Sequence, residues 1–437
     1  MMVSRGMHVI PCMGRSRRPW RWAGLAALLA AVVAVGVTGW ARLTPTPSAG
    51  SPIIGTSSIG PYPEAMVVAG HAHRGFIMHQ DGTITVLDTA NGRVVRRVMV
   101  GPFGYSPSDA AVAEQAGRVF VASAGTDGQG TDVSVLDAHS GTVLRTVRVG
   151  ADPHSVAVDE RRGRVLVGTY TGIAILDAGT GGMVRSASLG SPVHAVAVNQ
   201  RTGRVFVALA SVGRVPMTGG AGSVRVLDGG SGATLSTTAL GYQPGMVAVD
   251  EQANRLFVAG ADDGTVSTLD MRTGRLLRNV VVHGVGLVTS ALAVDAPSGR
   301  VVVVSTPGGG GPSASSQATL LDARTGLVIR TIPVAGAAWS LAVDNARGQA
   351  YIPTTPLIVL DIRTGTIRIT RAPGGTLVAL DAQAMRALVV SPTAVVDEAN
   401  PWAWLPSWLP FLPPRGRRVV PASPGVNLVD THLLQGG

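Results

Sequence analysis

The chain has 437 residues with 57 Gly and 28 Pro, a composition that fits many short strands and turns and excludes a helix-rich fold. All 36 basic residues are Arg, which excludes Schiff-base and lysine-base chemistry, and the single Cys12 excludes a disulfide or a paired thiolate site. The net charge of +10 is local: Arg5, Arg15, Arg17, Arg18, Arg21 and Arg42 lie in an acid-free N-terminal stretch, about +4 is left on the rest, and no nucleic-acid partner is expected.

Residues 1–22 form a basic segment, and residues 23–41 are an apolar run of membrane-spanning length. Trp20, Trp22 and Trp40 stand at its two ends, and the Arg residues before it place that side in the cytoplasm. The expectation is a single-pass transmembrane anchor with the rest of the chain extracytoplasmic. The alternative is a secreted or periplasmic protein after signal cleavage. Gly39-Trp40-Ala41 followed by Arg42 is a poor cleavage site, although residues 16–20 resemble a twin-arginine export signal. Residues 42–51 are a Pro/Ser/Thr linker of the extended, flexible kind.

From residue 52 to 437 two motifs alternate. The first, V-A-V-D followed by G-R-V-x-V, is clearest from Val156 to Val167 and returns at Val196, Val247, Leu292, Leu341 and Val378, with weaker copies at Val67 and Ala111. The second, V-L-D-x-x-[ST]-G and a trailing strand, carries Asp88, Asp137, Asp177, Asp228, Asp270, Asp322 and Asp361. Period-two alternation between Gly, Asp and Asn turns reads as four short strands per unit, A to D. Four strands per repeat of this length is the pattern of a β-propeller.

The stretches Asp159 to Val167, Val135 to Gly150 and Pro153-His154 resemble the YVTN-type propeller repeat of bacterial surface and periplasmic proteins. The resemblance covers about residues 52–391 and implies a propeller; its members include lactonase-like enzymes and plain binding proteins. Asp322-Ala323-Arg324-Thr325-Gly326 also resembles pyrroloquinoline-quinone propeller repeats. Those carry a docking Trp shortly afterwards, where this chain has Val, Leu or Ile, so no quinone and no other cofactor is expected.

The two ends fix the blade number. Ser57-Ser58-Ile59-Gly60 aligns with a D strand that has no A, B or C before it, and Asn427-Leu428-Val429-Asp430 aligns with a C strand that has no D after it. The expected fold is all-β, an eight-bladed propeller whose last blade takes A, B and C from the C-terminus and D from the N-terminus, which hides both sheet edges. Seven blades plus an extension is the alternative. The B–C loops alternate short and long around the ring, as an even number requires. The longest is a Pro/Trp-rich insert, residues 392–425.

The repeated Asp is expected to be turn chemistry, accepting backbone N–H bonds while Gly takes the left-handed position. Another ring position lies in the D–A turn, at the mouth of the central channel. Glu64, Ser108, His154, His194, Ser290 and Trp339 are the candidate ligand-binding groups there, with Gly245 and Thr376 completing the ring. Local turn bonding is the competing reading. His154 and His194 lack a compact metal motif, so no metal is expected. His71, His73 and His79 read as surface residues, and Asp262-Asp263-Gly264 and Asp127-Gly128 as turns. In the insert, Trp402, Trp404, Trp408, Phe411, Arg415, Arg417 and Arg418 are candidate partner or membrane contacts. The chain has neither G-x-S-x-G nor H-E-x-x-H, and no catalytic constellation is visible. The expected function is binding of a protein or small-molecule ligand on the B–C loop face. The alternative is a lactonase-like hydrolase with His154 or His194 as base.

Overall fold

The structure is a computed structural model that describes residues 53–60, 62–101, 105–125, 131–210, 222–261, 263–284, 286–307, 315–372, 374–391, 395–397, 419–421, 424–432 and 434. The expected anchor at 23–41 and the insert residues Trp402 to Arg418 lie outside them. Among the described residues no helix is long and apolar enough to cross a membrane.

Blade three shows why the repeat folds as it does. Its strands are Ser155–Asp159, Arg164–Gly168, Gly172–Asp177 and Met183–Ser188, paired antiparallel in that order. Val165, Leu166 and Val167 of strand B are all buried, on both faces of the sheet. Each face packs on a neighbouring blade, so strand B reads as a continuous apolar run and not as an alternation. Strand D is the outer edge and is mostly exposed. Exposed aliphatic residues gather on D strands around the ring, including Val95, Leu144, Val184, Leu235, Leu277 and Ile329. The core is therefore a series of wedges between blades, such as Phe120, Val135, Val165 and Leu176 between blades two and three.

Eight four-stranded sheets of this kind are present. Strand A of each blade lies against strand A of the next, and Leu377–Asp381 of the eighth lies against Pro63–Ala69 of the first, which closes the ring. The eighth blade is the composite one: Ile53–Ser58 pairs antiparallel with Gly425–Asp430, Ser57 opposite Val426. Thr56 donates to Asn427 at 2.9 Å, and Asn427 donates to Ser391 at 2.9 Å, so side chains tie D to C to B across the joint. Ile77, Leu87, Leu388 and Leu428 seal the seam between blades eight and one. Eight blades are thus the answer, and the seven-blade alternative falls.

Antiparallel order puts B–C and D–A loops on one face, called here the mouth face, and A–B and C–D turns on the other, the turn face. The long B–C gaps belong to the even blades, 125–132, 209–223, 307–315 and 391–425, as the sequence implied. The last opens on a two-stranded ladder, Val395–Asp397 against Val419–Pro421.

On the turn face a chain of hydrogen bonds links blades one to five. The residue after strand A accepts the backbone N–H of its counterpart in the preceding blade: Gly70 to Glu114 at 2.6 Å, Glu114 to Glu160 at 2.6 Å, Glu160 to Gln200 at 2.9 Å, and Gln200 to Glu251. Nothing in the repeat pattern flagged these side chains. Glu160→Ala leaves the N–H groups of Glu114 and Gln115 without their acceptor. The expected loss is about 1–2 kcal/mol in a denaturant titration. Glu160→Gln keeps an acceptor oxygen and should lose less; equal losses would mean that the charge, not the hydrogen bond, matters.

Candidate functional site

The repeated Asp does turn chemistry, as expected. Asp177 accepts the Thr180 N–H at 2.9 Å and its hydroxyl at 3.0 Å, while Gly181 sits at φ 69°. These N–H and O–H donors hold the Asp177 carboxyl below the usual range, with the Arg164 charge helping. The second carboxylate oxygen has a use the sequence did not disclose. It pairs with the Arg that opens strand B, at 2.8 Å for Arg164–Asp177 and 2.8 Å for Arg386–Asp430. Neither carboxylate faces the channel mouth, because strand C ends on the turn face.

The D–A ring does lie at the start of the innermost strands, on the mouth face. Glu64, His194 and Trp339 are exposed there; Ser108, His154 and Ser290 are half-buried. Several members fasten one blade to the next. Ser108 donates to the Pro153 carbonyl at 3.0 Å, Ser290 to the Ala338 carbonyl at 2.7 Å, and His194 to the Pro244 carbonyl. His154 Nδ1 donates to the carbonyl of Asp152 at 2.7 Å, within its own turn. His154 and His194 meet edge to face with ring centres 6.2 Å apart.

The titratable centre of this mouth includes a residue the sequence reading passed over. Asp109, next to Ser108, accepts the N–H of Val156 in the following blade at 2.8 Å and the N–H of Ala110 at 2.8 Å. Burial nevertheless pushes its carboxyl from 3.8 up to about 6, against the pull of those N–H groups and of nearby His154. Partial burial, and then the charge of His154, push His194 below the ordinary histidine range. The signal was present in the aligned repeats. Asp109 stands where other blades have Ala65, Ser155, Ala195, Met246, Ala291, Ser340 and Leu377. Ser155 and Ser340 bond the next strand in the same way, to Val196 at 3.0 Å and Val378 at 3.4 Å, but carry no charge.

Among the described residues no group of three His, Cys, Asp or Glu is placed to hold a metal. Asp263 bonds the Thr265 N–H at 3.0 Å, as a turn residue does, while Asp262, Asp127 and Gly128 lie outside the described residues. His79 overturns the surface reading. It is fully buried, because Gly60 leaves room for its ring, and it meets the Thr85 hydroxyl at 2.9 Å. His71 is exposed, and His73 reaches Asp381 of blade eight at 3.2 Å. The exposed aromatic side chains among the described residues are Tyr62, Tyr170 and Trp339, at 66%, 54% and 41% exposure. Tyr62 and Trp339 lie in D–A loops and Tyr170 in a B–C loop, so all three belong to the mouth face.

The family model described as outer membrane protein assembly factor BamB matches residues 220–389. No curated protein matches the chain. A crystal structure of the computationally designed Ika8 protein is similar at TM-score 0.56 and 19% identity, over 76% of this chain and 94% of that one. At that identity the likeness is one of fold.

Asp109 and His194 give opposite pH dependences. The raised Asp109 carboxyl favours the folded state at pH below about 3.8, and that contribution is lost as pH rises through about 6. The depressed His194 favours the fold above the ordinary value of 6.5 and loses its contribution as pH falls below it. Melting temperatures from pH 4 to 8 should show Asp109→Asn gaining most above pH 6 and His194→Gln gaining most on the acid side. Parallel shifts at every pH would contradict both assignments.

Proposed function

We propose that this chain is a membrane-tethered, extracytoplasmic propeller that docks a protein partner on its mouth face. The observation that carries the reading is the placement of Tyr62, Tyr170 and Trp339. Exposed aromatics are the side chains that anchor interfaces, and these share one face with the even-blade loops. The match to a family described as an assembly factor supports a binding or assembly role. The tether is the apolar run 23–41. Ile53 opens strand D of blade eight on the turn face, so the linker joins opposite the aromatics. In this reading Trp402, Trp404, Trp408, Phe411, Arg415, Arg417 and Arg418 extend the partner surface from blade eight.

A second reading rests on Asp109. A carboxyl pushed up to about 6 near the His154 imidazole has the acidity of a general base, and the YVTN-type repeat includes lactonase-like enzymes. Against it, His154 and Asp109 are already committed to backbone partners. Lactone turnover that disappears in both Asp109→Asn and His154→Ala would establish it.

The docking reading is tested by photo-crosslinking in intact cells. A benzoylphenylalanine at position 170 or 339 should give the same discrete adduct, and one at Leu235, on an outer strand, should give none. Trp339→Ala should lower the adduct yield from position 170 by about tenfold or more, as loss of an anchor does. Adducts of equal yield from position 235, or none from the mouth face, would overturn the proposal.

A further inference from the structure

On the turn face, at the seam of blades four and five, lies an open cavity of about 470 Å³. Arg201, Arg204, Arg272, Asn199, Asn254 and Thr202 line it, and no carboxylate does. Two departures from the repeat produce this charge imbalance. Strand A of blade four, Val193–Val198, is followed by Asn199, where blades three, five, six, seven and eight have Asp159, Asp250, Asp295, Asp344 and Asp381. The second departure is Arg204. Six other blades open strand B with an Arg paired to the Asp that ends strand C. Arg204 stands opposite Asp228 in register but makes no ion pair with it. Its guanidinium crosses the seam instead and donates to the carbonyls of Met271, at 3.2 Å, and Arg272.

The acids around the cavity are engaged elsewhere. Asp228 accepts the Ser231 N–H at 2.8 Å and its hydroxyl at 2.7 Å. Asp270 takes the N–H groups of Arg272 and Thr273, the amide of Asn254 and the charge of Arg255. The Glu251 carboxylate is bound to the N–H of Gln200. Arg162, from blade three, pairs with Asp159, donates to the Gln200 and Arg201 carbonyls, and also lends its charge to Asp228. Arg201 and Arg272 are exposed and carry no carboxylate partner. Three guanidinium groups that make no ion pair repel one another, and their planar donor forks match a tetrahedral oxyanion.

We propose that this cavity binds a phosphate group, with Arg201 and Arg272 as the gripping forks, Arg204 as the fixed charge behind them, and Asn254 and Thr202 as polar walls. The phosphate belongs to a free phosphorylated small molecule or to a lipid headgroup. The proposal is independent of the mouth-face reading.

Full-length protein in non-ionic detergent is titrated with radiolabelled inorganic phosphate by equilibrium dialysis, at constant chloride. Saturable binding is expected. Arg201→Ser/Arg272→Ser should weaken it by about tenfold or more, and Arg204→Gln should do likewise, as loss of charge-assisted pairs requires. The double variant changes only exposed side chains, so its melting temperature without phosphate should match the parent; a lowered value would make Arg204→Gln the deciding variant. Displacement by dihexanoyl phosphatidic acid at lower concentration than by glycerol 3-phosphate supports the site with a lipid as source. Equal displacement supports it with a free phosphate compound as source. Absence of saturable binding in the parent, or binding unchanged in the variants, overturns it.

Discussion

The ring depends on one pairing between its chain ends. Ile53–Ser58 and Gly425–Asp430 are far apart in sequence, yet together they complete the eighth sheet. An open propeller would leave the outer side of Gly425–Asp430 without backbone partners and the wedge between blades eight and one without its lid. Closing that large loop costs entropy, but the cost grows only slowly with loop length. Ile77, Leu87, Leu388 and Leu428 repay it by burial, since each fully buried aliphatic side chain contributes about 1.5–3 kcal/mol. The pairing also places Ile53, the start of that strand, at the turn face.

Hydrophobic wedges hold blades together without fixing their angular order. Polar fasteners do that, and their position changes around the ring. Blades one to five are linked on the turn face by the Glu114, Glu160, Gln200 and Glu251 acceptors. On the mouth face Ser108, Asp109, Ser155 and His194 each reach the next blade's backbone. The mouth ring is thus first a structural device. Its polarity is largely consumed by carbonyls and N–H groups, and within it burial shifts the ionisation of Asp109 and His194.

The fold was legible because a propeller repeats the same physical solution. The Asp-to-Gly turn, the continuous apolar run of strand B and the unpaired end strands all follow from local rules, and each appears in the sequence many times. Function was less legible because it resides in single departures. Asp109, in a place held elsewhere by Ala, Ser, Met or Leu, is visible only when blades are aligned position by position. Arg204 is harder still: its sequence context is ordinary, and only its guanidinium's path across the seam distinguishes it from Arg164. The burial of His79 is hidden in the sequence for a related reason. Strand B buries whatever occupies it, and Gly60, from a different segment, makes the space.

The seam between blades six and seven shows how far a repeat can bend before it fails. On its blade-six side stands Ala296, which has no side-chain acceptor, so the turn-face chain stops at Glu251 of blade five. Asp295 ends strand A as its counterparts do, yet both carboxylate oxygens are buried without a hydrogen bond. Its turn carries Pro297, which lacks the N–H that Gln252, Ala346 and Gln383 give to Asp250, Asp344 and Asp381. Across the seam, Thr89 serves Asp381 with a hydroxyl, but the matching residue facing Asp295 is Ile362, which has none. Leaving such groups unpaired costs about 1–3 kcal/mol or more. The compensation lies at the other end of the same wedge. Ser290 and Thr306 both donate to the Ala338 carbonyl, and Ser316 accepts the Ala338 N–H at 3.0 Å. At this seam the hydrogen bonds sit on the mouth face, beside Trp339. The seam thus carries its hydrogen bonds at the mouth-face end, where the indole of Trp339 is exposed, and its unsatisfied carboxylate at the turn-face end.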